Sequence, residues 1–392
     1  MHWRSKLIHP AAHAPANFHS LASPTYRAST VLFESQADVS DDWRQTENGY
    51  TYGVYGTPTV MELGAKIAEI EGAHHSFVVP GGQAAISLIY LAFCKSGSHA
   101  LVPLTAYGPN RELAAGLLKR LGISVESYDP LIGAGIADLI REDTALIWVE
   151  SPGSVTMEVQ DVPAIVAAAH ARKVPVALDN TWAAGVLFDA FAHGVDVSMQ
   201  ALTKFVGGHS DLLLGTVSVA DGVLYESVGS IFKQLGMAVS PDDCSLALRG
   251  LKTLGVRLER LEKSALELAR WLAMQPGIQT VLHPALPSCP GHEFWRRDFT
   301  GSSSVFSVVF DPRFTAAQVA AFADRLSLFK AGFSWGGVNS LVIAFPTLDR
   351  PGRGYRGRLV RLNVGLEEPE DLIADLAQSL GAMDAPAQGN DQ

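Results

Sequence analysis

Short apolar runs alternate with helix-patterned stretches from Val60 to Val219, and no other feature restricts the fold of this chain so tightly. Met61, Leu63, Ile67 and Ile70 recur at near-helical spacing until Glu71-Gly72 stops them. Residues 76–79, 100–103, 145–150, 174–178, 196–200 and 213–219 then read as strands, with helices expected over 84–94, 110–121 and 162–172. Strands that are apolar throughout, without polar alternation, are covered on both faces. The pattern therefore predicts an α/β fold whose sheet is mostly parallel.

At 392 residues the chain exceeds what one hydrophobic core usually serves, so a second, smaller unit is expected. The character of the sequence changes after Ser240-Pro241. Residues 245–274 form a long helical stretch carrying Leu246, Leu251, Leu254, Leu258, Leu261 and Leu268. Residues 305–310 and 340–345 follow as strands and 370–380 as a last helix, with a frayed polar tail after Gly381. Residues 1–58 are rich in His, Ser, Pro, Tyr and Asn, show no sustained periodicity and read as an extended arm. The chain thus divides into an arm (1–58), a large domain (59–250) and a small domain (251–392).

The net charge of −10 would repel nucleic acid and anionic membrane alike. Cys94, Cys244 and Cys289 lack the spacing of a disulfide framework or zinc site. The N-terminus has no signal-peptide core, and no apolar stretch is long enough to span a bilayer. A soluble, cytoplasmic protein acting on a small molecule is expected. His9, His13 and His19 fall in the arm and His74-His75 are adjacent, so no metal-ligand pattern emerges.

In an open parallel sheet, ligands bind beyond the carboxyl ends of the strands. Four polar segments stand there: Gly81-Gly82-Gln83, Ser151-Pro152-Gly153-Ser154, Asp179-Asn180-Thr181 and Thr203-Lys204. An acid and an amine at successive strand ends suit pyridoxal 5′-phosphate. Lys204 would form an imine with its aldehyde, and Asp179 would keep its pyridine nitrogen protonated. Gly81-Gly82-Gln83, at a helix start, is either a phosphate cradle or a tight strand-to-helix turn. Thr203 could add a hydroxyl to the same phosphate. Tyr107 is either a ring stacked on the cofactor or a half-buried loop tyrosine. Arg361 is either a two-pronged clamp on a substrate carboxylate or a salt-bridge partner of Glu367 and Glu368. Ser334-Trp335-Gly336-Gly337 is a compact turn able to line the substrate pocket.

Taken in order, five segments resemble the Cys/Met-metabolism family of pyridoxal-phosphate enzymes. They are Tyr52-Gly53-Val54-Tyr55-Gly56-Thr57-Pro58, Leu178-Asp179-Asn180-Thr181-Trp182, residues 200–204 with Gly208-His209-Ser210-Asp211, Ser334-Trp335-Gly336-Gly337, and Arg361-Leu362-Asn363-Val364-Gly365. The resemblance runs from about Tyr50 to Leu380. It implies the aspartate-aminotransferase-like fold (fold type I of pyridoxal-phosphate enzymes), with Lys204 as imine lysine and proton shuttle and Asp179 on the pyridine nitrogen. Tyr107 would stack on the ring, Thr181 would lie near it, and Gly82, Gln83 and Thr203 would meet the phosphate. Ser334 and Arg361 would contact the substrate carboxylate, with Trp335 beside them. Tyr52 would reach the active site of a neighbouring subunit in a homotetramer built as a dimer of dimers.

Glu150-Ser151-Pro152-Gly153-Ser154 and Ser334-Trp335-Gly336-Gly337 resemble the β-eliminating members. The implied reaction is cleavage of a thioether amino acid, L-cystathionine first, to a thiol, pyruvate and ammonia. Cysteine S-conjugate cleavage, γ-chemistry and a non-catalytic scaffold are the alternatives. The chain also departs from the family pattern. Val54 stands where many members have a phosphate-clamping arginine, Ala201 where many have serine, and Phe333 where β-lyases often have tyrosine. A charge-assisted hydrogen bond contributes about 1.5–3 kcal/mol, so the loss at Val54 predicts roughly ten- to hundredfold weaker cofactor binding unless another cation, with Arg44 the candidate, replaces it.

Overall fold

The computed structural model describes residues 2–8 and 20–383. His9, His13, His19 and, from residue 384 onward, the expected polar tail lie outside the described residues. Two sheets organise the rest. The first has seven strands: β1 (His75–Val79), β2 (His99–Pro103), β3 (Ser124–Tyr128), β4 (Thr144–Glu150), β5 (Val176–Asp179), β6 (Val197–Gln200) and β7 (Gly215–Val219), in the order β1-β7-β6-β5-β4-β2-β3. β3, β2, β4, β5 and β6 are parallel neighbours, while β7 runs antiparallel to both β6 and β1. Six strands therefore point the same way, and their carboxyl ends lie along one edge of the sheet.

The apolar runs that predicted these strands are covered on both faces. One face packs Leu101, Ile147, Val149 and Val176 under the Val162–His170 helix, and the other packs Ala100, Leu146, Trp148 and Val217 under the Gly82–Phe93 helix. β3 escapes the apolar pattern because its sequence, Ser-Val-Glu-Ser-Tyr, belongs to an edge strand with exposed positions. The helix expected over 110–121 begins earlier, at Gly108, and from Ala114 to Leu118 widens into a single π turn.

The second sheet has five strands, β8 (Ile278–Leu282), β9 (Val305–Phe310), β10 (Lys330–Ala331), β11 (Leu341–Phe345) and β12 (Leu359–Asn363), ordered β10-β11-β12-β9-β8. The Pro241–Ala273 helix contacts the Pro58–Glu71 helix, the Trp3–Ile8 helix and strands β8 and β9, so it packs against elements from both halves of the chain. Its start is fixed by Ser240, whose hydroxyl accepts from the Asp242 N–H, with Pro241 in the first turn.

The arm is not extended throughout. Trp3–Ile8 is a helix whose Leu7 is buried with Val60, Leu63 and Leu258. Its periodicity covers too few residues to register in the sequence. Among the described residues, no helix is long and apolar enough to cross a membrane.

Candidate active site

The shared strand edge carries a cavity of about 440 Å³. Gly82, Gln83, Tyr107, Asp179, Thr181, Thr203, Lys204, Trp335 and Arg361 all line it, and Ser334 touches it through Lys204. Tyr52 does not. It stands outside the cavity of its own chain, 48% exposed, edge-on to Tyr55.

Lys204 follows β6 by four residues and is turned into the cavity. Its Nζ donates to Ser334 Oγ at 2.6 Å and lies 5.4 Å from the centre of the Trp335 ring. Burial, with Arg361 nearby, lowers its pKa to about 8 against the opposing pull of Asp179. The neutral, nucleophilic amine is thus far more populated near neutral pH than for an ordinary lysine.

Two elements hold the lysine turn. From below, Arg257 donates to the carbonyls of Phe205 (2.6 Å), Val206 (3.4 Å) and Gly250 (2.8 Å). From above, the 334–337 turn presses on it. Gly336 has φ +81°, and a Cβ there would lie 3.0 Å from the Phe205 nitrogen and 3.2 Å from the Lys204 carbonyl carbon. Gly336 N–H donates to Asn363 Oδ1 at 3.0 Å, which fastens the turn to β12. Ser334 itself has φ +75°, an uncommon conformation for a residue with a side chain.

Asp179 ends β5 and accepts from the Thr181 N–H at 3.0 Å. Burial raises its pKa, while Thr181 and Lys204 pull it back. The Thr181 hydroxyl accepts from the Ala201 N–H at 3.0 Å, tying the Asp179 turn to the lysine loop. Thr203 Oγ1 donates to Leu214 O and accepts from Leu214 N–H, both at 3.1 Å, so its hydroxyl proton is engaged within the protein.

At the other end of the cavity the Gly82–Phe93 helix begins with no side-chain cap. A Cβ on Gly82 would meet Ala201 Cβ at 2.9 Å, so Gly82 and the small Ala201 fit each other. A helix N-terminus with uncapped N–H groups opening into the cavity suits a phosphate. Together with the partly buried Lys204 and Asp179, this set fits pyridoxal phosphate. Arg44, the candidate for a replacement cation, does not line the cavity. Its guanidinium pairs with Asp42 at 2.7 Å and Glu226 at 3.5 Å.

Arg361, on β12, is buried, projects into the cavity and donates to Ser334 O at 3.2 Å. Burial lowers its pKa to about 10. The ion pair with Glu367 or Glu368 does not form. Glu367 accepts from Ser340, and Glu368 pairs with Arg260.

Sequence reasoning placed Glu150 in a segment resembling β-lyases but gave it no role of its own. It ends β4 in register with Asp179 on β5, lines the cavity, and accepts from the Tyr107 N–H at 2.7 Å. Burial first, and the neighbouring Asp179 second, push its carboxyl well above the ordinary range. The signal was an acid closing an otherwise apolar strand. Among the described residues, no group of three or more His, Cys, Asp or Glu is arranged to hold a metal ion.

The family profile described as "Cys/Met metabolism PLP-dependent enzyme" matches residues 4–381. The chain is 41% identical over 382 residues to the cystathionine β-lyase of Salmonella typhimurium, covering 95% of this chain and 96% of that one. It is 37% identical over 383 residues to an L-alanine/L-glutamate racemase of Wolbachia pipientis, with 93% of each chain covered. Its fold is similar to the crystal structure of cystathionine γ-lyase from Lactobacillus plantarum complexed with L-serine, at TM-score 0.90 and 26% identity over 98% of this chain and 100% of that one.

Proposed function

The chain belongs to the Cys/Met-metabolism family of PLP-dependent enzymes, and from that membership we propose that it is a carbon–sulfur β-lyase that cleaves L-cystathionine to homocysteine, pyruvate and ammonia. The observation that carries this reading is the juxtaposition in one cavity of a lysine of lowered pKa, a partly buried aspartate at the neighbouring strand end and a buried arginine without an acidic partner. When bound, pyridoxal phosphate supplies an aldehyde carbon for amines and a ring that withdraws electrons from the substrate α-carbon.

The protein's own groups divide the remaining work. Asp179 would hold the proton on the pyridine nitrogen and Tyr107 would cover the ring, while Thr181 fixes the Asp179 turn. Gly82 and Gln83 would offer helix N-terminal N–H groups to the phosphate, while the Thr203 hydroxyl, whose proton is held by Leu214 O, has none to add. Arg361 and the Ser334 turn orient the substrate carboxylate beside Trp335. Lys204 Nζ would remove the α-proton and return a proton to the departing sulfur.

We further assign the arm to a homotetramer built as a dimer of dimers, in which Tyr52 serves the neighbouring site. Its exposure, and its position outside its own cavity, support that assignment. We likewise propose the division at residues 58 and 250, which leaves one sheet on each side of the second boundary, although that boundary falls within the Pro241–Ala273 helix. A cytoplasmic location is supported by three cysteines that are free and buried.

The test is pyruvate and thiol release by the purified holoenzyme from L-cystathionine. 2-Oxobutyrate in place of pyruvate would shift the reading to γ-elimination. Deuterium exchange at Cα of L-alanine, with no pyruvate, would shift it to racemisation, the reaction named for the Wolbachia relative. Mixing Lys204→Ala with Tyr52→Phe subunits tests the shared site, because only a mixed dimer has one intact centre.

A further inference from the structure

Residues 151–159, between β4 and the Val162–His170 helix, form one wall of the cavity, which Ser154, Val155 and Met157 line. Their own sequence does not favour the backbone they adopt. Val155 has φ +68° and Met157 φ +60°, a region uncommon for any side chain and rare for a β-branched one. Such a backbone persists only where its surroundings over-determine it.

Most of the bonds that reach this wall from outside come from the second sheet and its loops. Ser307 Oγ, on β9, donates to Val155 O at 2.6 Å. Cys289 Sγ donates to Met157 O at 3.1 Å, and Val159 N–H donates to Pro290 O at 3.0 Å. Each of these holds a single residue. Arg350, in the connection between β11 and β12, holds two. Its Nε donates to Thr156 Oγ1 at 3.0 Å and its Nη2 to Ser154 O at 3.3 Å, so one rigid guanidinium plane spans the strained Val155.

Arg350 acts from behind the wall. It is buried, as is Thr156, and neither lines the cavity. Burial lowers its pKa, while Glu158 on the same loop is the foremost acid sustaining its charge, ahead of Glu150 and Asp349. The Lys204 turn is held separately, by Arg257 and by the 334–337 turn, and Arg350 bonds to neither of them among the described residues.

We propose that Arg350 is a positioning residue for the substrate, which sets the shape of the wall through Ser154 and Thr156 and touches neither substrate nor cofactor. The proposal rests on the amino-acid site read above and not on which bond is broken there. Without the fork, Val155 and its neighbours leave the positive-φ region. The substrate then meets a displaced wall while the lysine turn stays in place.

Arg350→Met keeps the length of the side chain and removes the fork. In the holoenzyme, KM for L-cystathionine is expected to rise about fivefold or more, with kcat lowered less than about threefold and borohydride trapping of pyridoxal on Lys204 retained. The Kd of L-cystathionine, read from the rapid change in cofactor absorbance, rises with KM. Arg350→Lys, with a charge but no fork, falls between. Thr156→Val removes one acceptor outside the cavity, so it raises KM in the wild-type background and adds nothing beside Arg350→Met.

A smaller rise in KM and Kd for Arg350→Met overturns the proposal, and so does loss of pyridoxal trapping or an equal effect of Thr156→Val in both backgrounds. If Arg350→Met fails to fold, unchanged KM and Kd in both Arg350→Lys and Thr156→Val overturn it, and a rise in either sustains it. Absence of pyruvate from the wild-type enzyme overturns the β-elimination reading instead, and Kd alone then decides the role of Arg350.

Discussion

Two buried arginines bracket the Lys204 turn, and their hydrogen bonds separate a structural role from a chemical one. Burial lowers the pKa of each to about 10, and neither faces an acid. Arg257, on the long helix, directs its guanidinium at three backbone carbonyls and also donates to Thr253 Oγ1. Arg361, on β12, gives one bond to Ser334 O, stacks over Phe345 and leaves the rest of its fork facing the cavity. The cost of burying two guanidinium groups is similar. What differs is whether the donors are already used, and a binding site keeps them free.

The reference point for any test of this division is the lysine between the two. Lys204→Ala is expected to lower β-elimination on the order of 10⁴-fold, measured as pyruvate release, and to abolish borohydride trapping of pyridoxal on the protein. Arg257→Ala leaves buried carbonyls without donors at about 1–3 kcal/mol each, so a loss of about 3 kcal/mol or more is expected in a denaturant titration. Arg361→Ala should leave the denaturation midpoint in place and lower kcat/KM roughly ten- to hundredfold, the equivalent of one charge-assisted contact of about 1.5–3 kcal/mol. If the two variants exchanged these phenotypes, the comparison would be broken.

Smaller effects sharpen it. Gly336→Ala puts a methyl group against the lysine turn at positive φ, and a destabilisation of about 1–2 kcal/mol is expected. In the apoprotein, condensation of Lys204 with pyridoxal needs the neutral amine, so its rate should rise as pH passes about 8. The same lowered pKa makes the folded state bind fewer protons than the unfolded state between about 8 and the ordinary lysine value. The penalty for burying the ammonium is fully present below that window and is relieved as pH rises through it. Because Glu150→Gln keeps an acceptor for the Tyr107 N–H and burial already disfavours the charged carboxylate, it should change kcat/KM the least, by less than about threefold, whereas Glu150→Ala removes that acceptor and should cost more.

The sheet strands were legible because continuous apolar runs have few other ways to be buried. Strand-end chemistry was legible for the same reason, since placing Asp179 and Lys204 required only that their strands be neighbours. β3 was missed because its exposed edge positions interrupt any apolar run, and β12, though buried throughout, because Arg361 and Asn363 break its apolar run. The role of Glu150 was missed although its strand was found, because its significance depends on register with Asp179, a non-local fact. Arg257 has no local signature at all. It is one charged position among many on a long amphipathic helix, and only the fold turns it toward the carbonyls after Lys204.

The close fit of the 334–337 turn on the lysine loop also bears on biosynthesis. Lys204 is translated well before Ser334 and Arg361, yet its hydroxyl partner and the cation that helps lower its pKa both come from those later segments. A nascent or truncated chain lacking the last sixty residues has the lysine without the surroundings that tune it. Competence to capture the aldehyde therefore arrives with the end of the chain, and cofactor uptake serves as a readout of finished folding.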